Sequence, residues 1–283
     1  MKKYRKLLGV MIAQPDAYYS SALIQGVLTQ AFKYDYDVAV FSPFIKDKLS
    51  DLWHVGERNI FNLVNYSLLD GIIFVPDTLK VEDIDKQVET DIKTRFKGPV
   101  VSVDIETEGF SNIFTDDVHN VKKLVSHLIE DHNFTDIAFM TGVKGHPHAT
   151  NRLTGYYEAL VEHGLPIDQS RVFYGDFWYD EGERVVKELI ESGRPLPQAI
   201  ACGSDTMAIS VCEALKKRNI NVPKDVAVTG YDTISAGINY VPSITSANVP
   251  ADITGIRAVK MLHSLMTDTP FVDEPCEPQI NVA

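Results

Sequence analysis

The sequence predicts an α/β fold made of two Rossmann-like lobes, each with a parallel sheet covered by helices. Short aliphatic runs recur along the 283 residues, and the stretches between them repeat apolar residues at helical spacing. Strands that alternate with helices are joined by right-handed crossovers, which build a doubly wound parallel sheet. About ten strands exceed what one compact open sheet commonly carries, so two lobes of similar construction are expected.

The predicted strands are continuous apolar runs, as expected for strands that are buried on both faces of a sheet. These runs are Leu7 to Ile12, Val38 to Phe41, Gly71 to Val75, Pro99 to Val103, Ile137 to Thr141, Ala199 to Cys202 and Val226 to Thr229. The helical spacing of three and four is clear at Val118, Val121, Val125 and Leu128. The alternation pauses around Glu106 to Asn112, a polar segment that contains a glycine.

Composition and charge restrict the partners of the chain. With 45% hydrophobic and 23% charged residues, the chain is expected to bury a sizeable core. The 27 basic and 39 acidic residues give a net charge of −12, which opposes unaided binding to DNA or to an anionic membrane. The one basic cluster, Lys2, Lys3, Arg5 and Lys6, is interpreted as a solvated terminus.

The apolar run from Leu7 to Ala13 is too short to span a membrane and lacks a signal-peptide cleavage site. The cysteines Cys202, Cys212 and Cys276 lie far apart and without metal-ligand spacing, which fits a reduced cytoplasm. We therefore expect a cytoplasmic protein that makes no membrane contact.

No pattern of an enzyme stands out. The sequence has no Gly-x-Ser-x-Gly elbow, no Walker loop and no Gly-x-Gly-x-x-Gly after a strand, so neither catalysis nor a cofactor is expected. His146 and His148 form a His-x-His pair, but Pro147 separates them and no third ligand is clustered nearby. Metal binding is therefore not expected either.

Ligands of open α/β sheets bind beyond the carboxyl ends of the strands. The residues that follow the predicted strands are polar and aromatic, unlike the strands themselves. They are Ala13 to Tyr19, Pro76 and Asp77, Asp104, Gly142 to Arg152, Ser204 and Asp205, and Tyr231 and Asp232. A binding site for a small molecule is expected among them.

Seven segments resemble, in the same order, strings typical of the effector domains of LacI-type transcriptional regulators. They are residues 8–12, 69–74, 99–104, 151–156, 199–208, 222–232 and 242–246. The resemblance implies a fold like that of type I periplasmic binding proteins, in which the chain crosses between the lobes at three hinge crossovers. Residues 1–116 and 250–275 would form the N-terminal lobe, and residues 117–249 and 276–283 the C-terminal lobe.

The resemblance assigns ligand contacts to Asp104, Arg152 and Asp232. A carboxylate accepts hydrogen bonds from hydroxyls or a base edge, and a guanidinium fork donates two. Alternatives remain open for each residue: Asp104 could cap a helix or bridge the lobes, Arg152 could form a buried salt bridge, and Asp232 could cap a turn. Thr233 replaces the second Asp that is usual after Asp232.

The resemblance also implies that Tyr19 and Phe177 present aromatic faces to the ligand and that His148 lines the site. Ser204 stands where sugar-responsive members commonly have Asn, and Val249 where some have Gln. The site would therefore lack amide groups that fork onto hydroxyls, so both a sugar and a nucleobase or nucleoside are considered as ligands.

By this resemblance the chain is a sensor that closes on a small polar ligand held in the cleft between the lobes. Closure would signal to a partner subunit in a homodimer or to a fused output domain. Only Met1 to Lys6 precede the first strand, where the family's regulators carry a helix-turn-helix, so no direct contact with nucleic acid is expected. The sequence stops within a final strand, Pro278 to Ala283, which suggests an attached AraC-type DNA-binding or GGDEF domain.

Two other functions are compatible with the same fold. An exported solute-binding protein of a sugar transporter shares the two-lobe fold, but it would require a signal peptide. A degenerate dimerisation module would have the same fold with a cleft that no longer binds a ligand.

Overall fold

The computed structural model describes residues 4–44, 56–79, 83–177, 181–248, 250–274, 277 and 279–283. Lys2, Lys3, Val249 and Cys276 lie outside the described residues. The chain divides into two units. Unit 1 comprises Met1–Thr115 and Pro250–Cys276, and unit 2 comprises Asp116–Val249 and Glu277–Ala283.

Strands and helices alternate along both units. The strands are β1 (Leu7–Met11), β2 (Asp37–Phe41), β3 (Gly71–Phe74), β4 (Val100–Val103), β5 (Ser111–Ile113), β6 (Ile137–Thr141), β7 (Val172–Tyr174), β8 (Ala199–Cys202), β9 (Ala227–Tyr231), β10 (Thr245–Asn248) and β11 (Gln279–Asn281). The α-helices are α1 (Tyr18–Lys33), α2 (Ile84–Arg95), α3 (Asp117–Glu130), α4 (Pro147–Glu162), α5 (Gly182–Glu191), α6 (Asp205–Lys216), α7 (Ser235–Ile238) and α8 (Ala251–Thr267). Short 3-10 helices span Asn59–Leu63, Tyr66–Leu68, Pro76–Leu79 and Gln169–Arg171.

The described residues of each unit form one sheet. Unit 1 has the strand order β2-β1-β3-β4-β5 with every pair parallel. Unit 2 has the order β11-β10-β9-β8-β6-β7. Its strands pair in parallel except β10 and β11, which are antiparallel, with Ala247 opposite Ile280. The predicted fold class is confirmed, apart from this antiparallel edge.

Two edge strands differ from the sequence-based expectation. The expected pause around Glu106 to Asn112 is wrong at its end, because Ser111–Ile113 forms β5 and pairs with β4. Strand β7 was absent from the predicted aliphatic runs. Within the described part of the chain, both strands lie at a sheet edge and pair with a single neighbouring strand. An edge strand of three residues tolerates the polar Ser111 and Asn112 that a central strand would exclude.

Alternating residues of the central strands pack on opposite faces of each sheet. In unit 1, Val10 belongs to a core with α1 and α8, whereas the adjacent Met11 belongs to a core with α2. In unit 2, Met140 packs with α5 and α6, and Phe139 packs with α3 and α4. All four side chains are fully buried, as predicted for strands covered on both faces. Among the described residues, no helix has both the length and the apolarity to cross a membrane.

A glycine allows two helices to approach closely in each unit. A Cβ atom on Gly26 of α1 would lie 1.9 Å from the carbonyl oxygen of Asp252 in α8. In unit 2, a Cβ atom on Gly155 of α4 would lie 2.4 Å from the carbonyl oxygen of Val118 in α3. Because the obstacles are backbone atoms, a larger residue would push the paired helices apart. The crossing of α3 and α4 positions residues at the beginnings of both helices.

We predict that Gly26→Ala and Gly155→Ala each lower the free energy of unfolding by about 1–3 kcal/mol, the usual cost of overpacking. The measurement is chemical denaturation followed by circular dichroism. Gly56→Ala is the matched control, because a Cβ atom there meets nothing within 4 Å. Unchanged unfolding midpoints for the two helix variants would contradict the close approach.

Candidate functional site

In unit 1, two of the predicted residues meet at the carboxyl end of the sheet. Asp104 follows β4 in a left-handed backbone conformation with φ of 63° and is buried. One of its carboxylate oxygens accepts a hydrogen bond from the Tyr19 hydroxyl at 2.5 Å, and the other accepts one from the Thr115 backbone N–H at 2.7 Å. Tyr19 lies in the first turn of α1, which follows β1. Tyr19 and Asp104, which the sequence predicts as ligand contacts, are therefore neighbours in the structure.

In unit 2, the centre of the site is the buried guanidinium of Arg152, in the second turn of α4. Its Nε donates to the carboxylate of Asp117 at 3.0 Å, and its Nη1 donates to the carbonyl oxygen of Gly203. The guanidinium lies 3.9 Å from the ring centroid of Tyr231 and 5.3 Å from that of Phe177. Arg152 thus forms the buried salt bridge that was one of its alternatives, and it also lies at the predicted edge of the sheet.

Asp117 is the residue that the sequence analysis missed. It is the first residue of α3, and its side chain has no exposed surface. Besides Arg152, its carboxylate accepts from the Tyr231 hydroxyl at 2.6 Å and bonds with Nδ1 of His148. The Tyr231 hydroxyl in turn accepts from the side-chain amide of Asn120 at 3.1 Å. One carboxylate therefore joins residues from α3, α4 and the end of β9.

The charges of this cluster stabilise one another. Burial alone would raise the pKa of Asp117, but Arg152 and His148 outweigh it and hold that pKa well below its usual range. Burial likewise opposes the charged form of Arg152, and the Asp117 carboxylate outweighs it, so the pKa of Arg152 is raised. Asp117 and Arg152 are therefore both ionised at neutral pH.

Asp232 lies beside this cluster and behaves differently. It follows β9 with a positive φ of 100°, and its backbone N–H donates to the carbonyl oxygen of Ala247 at 3.0 Å. Its carboxylate makes no hydrogen bond within the part of the chain that the structure describes. Burial raises its pKa to about 7, because the attraction of Arg152 is offset by repulsion from Asp205 and Asp117.

Asp205, at the start of α6, is also buried. It accepts from the Ser246 hydroxyl at 2.7 Å and from the Ile234 backbone N–H at 2.8 Å. Burial outweighs these hydrogen bonds and raises its pKa to about 6. The edge of the unit 2 sheet therefore holds three carboxyl groups, of which Asp117 and Asp232 interact with the Arg152 guanidinium.

Ser204 and Phe177 are linked to each other. The Ser204 hydroxyl accepts from the Met207 backbone N–H at 3.1 Å, as the N-cap of α6, and lies 3.1 Å from the carbonyl oxygen of Phe177. Phe177 has a positive φ of 72°, and its ring packs so closely on Gly142 that a Cβ there would lie 1.9 Å away. Ser204 therefore positions Phe177 as well as lying at the predicted edge of the sheet.

The structure brings five of the seven predicted residues together in unit 2: His148, Arg152, Phe177, Ser204 and Asp232. Tyr19 and Asp104 form a second group in unit 1. His148 stacks with His146 at a centroid distance of 5.6 Å. Among the described residues, no group of three or more His, Cys, Asp or Glu side chains could hold a metal ion.

We predict that Asp232→Asn stabilises the chain most at high pH. An aspartate titrates near pH 4 in the unfolded chain, and Asp232 titrates at about pH 7 in the folded one. Between these values the folded state holds the extra proton, so the group contributes stability that is present below pH 4 and lost as the pH rises through 7. The variant should gain on the order of 1–3 kcal/mol at pH 8, since one pKa unit corresponds to about 1.4 kcal/mol, and little at pH 4.

Thermal unfolding of the wild type and the variant from pH 4 to pH 8 measures this difference. Asp268→Asn serves as the control, because Asp268 is an exposed carboxylate in a left-handed conformation that Asn also adopts. Melting curves of Asp232→Asn that follow the wild type at every pH would show that Asp232 has no raised pKa.

Comparisons with known proteins agree with this architecture. The sequence model of a family described as a periplasmic binding protein-like domain matches residues 125–281. The chain is 28% identical to catabolite control protein A of Priestia megaterium, over 92% of this chain and 74% of the relative. It is also 28% identical to the ribose operon repressor of Escherichia coli K12, over 90% of this chain and 74% of the repressor.

Among solved structures, the fold is similar to that of a sugar-binding transcriptional regulator of the LacI family from Escherichia coli, complexed with phosphate. The TM-score is 0.75 with 22% sequence identity, and the match covers 99% of this chain and 98% of that one. At this identity the likeness shows the fold alone. The curated relatives are transcriptional regulators and not enzymes.

Proposed function

The chain belongs to the periplasmic binding protein-like domain family, and from this premise we propose that it is the effector-sensing domain of a LacI-type transcriptional regulator. Its ligand is a small polar molecule, with a sugar favoured over a nucleobase or nucleoside. The relatives named as transcriptional regulators or repressors favour this function over that of a transporter's binding protein.

One observation carries the proposal. In each unit, polar and aromatic side chains gather where the parallel strands end, which is where ligands of open α/β sheets bind. The guanidinium of Arg152 and the ring of Phe177 offer hydrogen-bond donors beside an apolar face. A sugar presents the same combination of hydroxyls and C–H face.

We propose that one ligand is held by both units, with Asp104 contributing from unit 1 and Arg152 and Asp232 from unit 2. Binding would then favour a closed arrangement by its differential affinity for that arrangement. Asp104 also holds the backbone N–H of Thr115, the last residue before the chain first passes into unit 2. A ligand that forms a hydrogen bond with Asp104 therefore contacts a residue that holds the backbone where the chain leaves unit 1.

Closure would be relayed to a second copy in a homodimer or to an attached output domain in the cytoplasm. A two-state change of this kind requires only that the ligand bind one arrangement more tightly than the other.

We predict that a thermal-shift panel of D-ribose, D-glucose, adenosine and guanine identifies a ligand that raises the melting temperature in a concentration-dependent way. Isothermal titration calorimetry with that ligand should then show affinity losses of at least about tenfold in Arg152→Ala and in Asp104→Asn. The reason is that a hydrogen bond to a charged group contributes about 1.5–3 kcal/mol.

Arg194→Ala is the matched control, because Arg194 is an exposed arginine of unit 2 that pairs with Asp168 at 2.7 Å. Its affinity should equal that of the wild type. Unchanged affinity in Arg152→Ala would remove Arg152 from the site, and an absence of any binding ligand across a wider sugar and nucleoside panel would argue against the sensor function.

A further inference from the structure

We propose that the unit 2 part of the site selects an uncharged, hydroxyl-bearing ligand and rejects ligands that carry a phosphate or carboxylate group, an inference that rests on the sensor function proposed above. The contacts of Arg152 distinguish these two ligand classes. An unpaired buried guanidinium is a strong anion site, whereas one that is already paired binds through its remaining N–H groups only.

The charge of Arg152 is already neutralised within the protein. Its Nε lies 3.0 Å from an Asp117 carboxylate that has no exposed surface, so the ion pair is shielded from water. Attraction between buried charges at this separation is far stronger than in water. His148, which could supply a second positive charge, bonds to the same Asp117 carboxylate. Little positive potential is left for an anion.

The other charges of the cluster repel an anion. Asp205 is buried, and its carboxylate disfavours ionisation of Asp232. An incoming phosphate or carboxylate would add negative charge beside these two acids and Asp117. Like charges in a poorly solvated site are disfavoured, and Asp205 and Asp117 already oppose the ionisation of Asp232 there.

The hydrogen-bonding groups that remain unused in this cluster match a neutral hydroxyl group of a ligand. Within the described residues, Nη2 of Arg152 makes no hydrogen bond, and neither does the carboxylate of Asp232. The first is a donor and the second an acceptor. A hydroxyl group can both accept from the donor and donate to the acceptor, whereas a fully ionised phosphate or carboxylate can only accept.

Inorganic phosphate tests this inference without knowledge of the natural ligand. It is small, and one structural neighbour was solved with it. We expect no saturable binding of phosphate to the wild type by calorimetry at pH 7.5, with sodium chloride adjusted to keep the ionic strength constant. Asp117→Asn leaves the guanidinium charge uncompensated and should bind phosphate at least about tenfold more tightly than the wild type. The double variant Asp117→Asn/Arg152→Met should lose this binding.

Asp168→Asn is the matched control, because it frees Arg194 at an exposed position of the same unit and should gain no phosphate binding. Circular dichroism establishes that Asp117→Asn is folded. If that variant does not fold, the wild type and Arg152→Met decide the question. Saturable phosphate binding by the wild type that Arg152→Met abolishes overturns the inference, and its absence supports it.

A pair of matched sugars separates this inference from the sensor function. D-Glucose and D-glucuronate differ in a single charged group. Binding of a neutral sugar with exclusion of its charged counterpart supports both proposals. Tight binding of an anionic sugar at Arg152 overturns the charge selection and leaves the sensor function in place. If none of the sugars and nucleosides binds, the proposed sensor function is wrong. The phosphate titration still decides whether Asp117 prevents anions from binding at Arg152.

Discussion

The carboxylate of Asp117 is the interaction on which the rest of the unit 2 site depends. It holds Arg152, His148 and Tyr231 at once, and through Arg152 it reaches the carbonyl oxygen of Gly203 after β8. One buried charge therefore fixes the beginnings of the two helices α3 and α4 relative to the ends of the two strands β8 and β9. Removing one member of a buried ion pair typically costs about 3–5 kcal/mol, because the remaining charge has no compensation. The orientation of Arg152 is thus set before any ligand arrives.

Unit 1 uses ion pairs in a different way, to fix the segments that lead out of it. The guanidinium of Arg257 in α8 donates to both carboxylate oxygens of Asp273, at 2.7 and 2.6 Å, and to the carbonyl oxygen of Phe114 at 3.1 Å. Phe114 and Asp273 precede the first and the second passage of the chain into unit 2. Next to Phe114, the N–H of Thr115 is held by Asp104. One arginine and one aspartate therefore anchor the same stretch of backbone, and only Asp104 lies at the expected ligand position.

The sequence predicts those features of the fold and the site that leave a pattern in neighbouring residues. Fully buried strands appear as aliphatic runs, so most central strands and the α/β class were recognised, whereas the more polar β10 was not among the predicted runs. The edge strand β5 was missed because Ser111 and Asn112 do not look like a buried strand. Asp117 was missed for a related reason. It follows Asp116, which caps α3 by accepting from the His119 backbone N–H at 3.1 Å, and adjacent aspartates at a helix start resemble two caps. Its partners Arg152 and Tyr231 lie 35 and 114 residues away, beyond any local pattern.

The acids of unit 2 also link ligand binding to protonation. Asp117 contributes stability that is present above its unfolded pKa near 4 and lost as the pH falls toward its lowered folded value, whereas Asp232 contributes stability that is lost as the pH rises through about 7. At neutral pH, Asp232 is close to half protonated in the free chain. A ligand hydroxyl that donates to its carboxylate favours the ionised form and lowers its pKa. Binding of such a ligand would therefore release a fraction of a proton, and affinity would rise with pH up to about 7. The raised pKa of Asp232 destabilises the empty chain, and the ligand recovers that stability in the bound state.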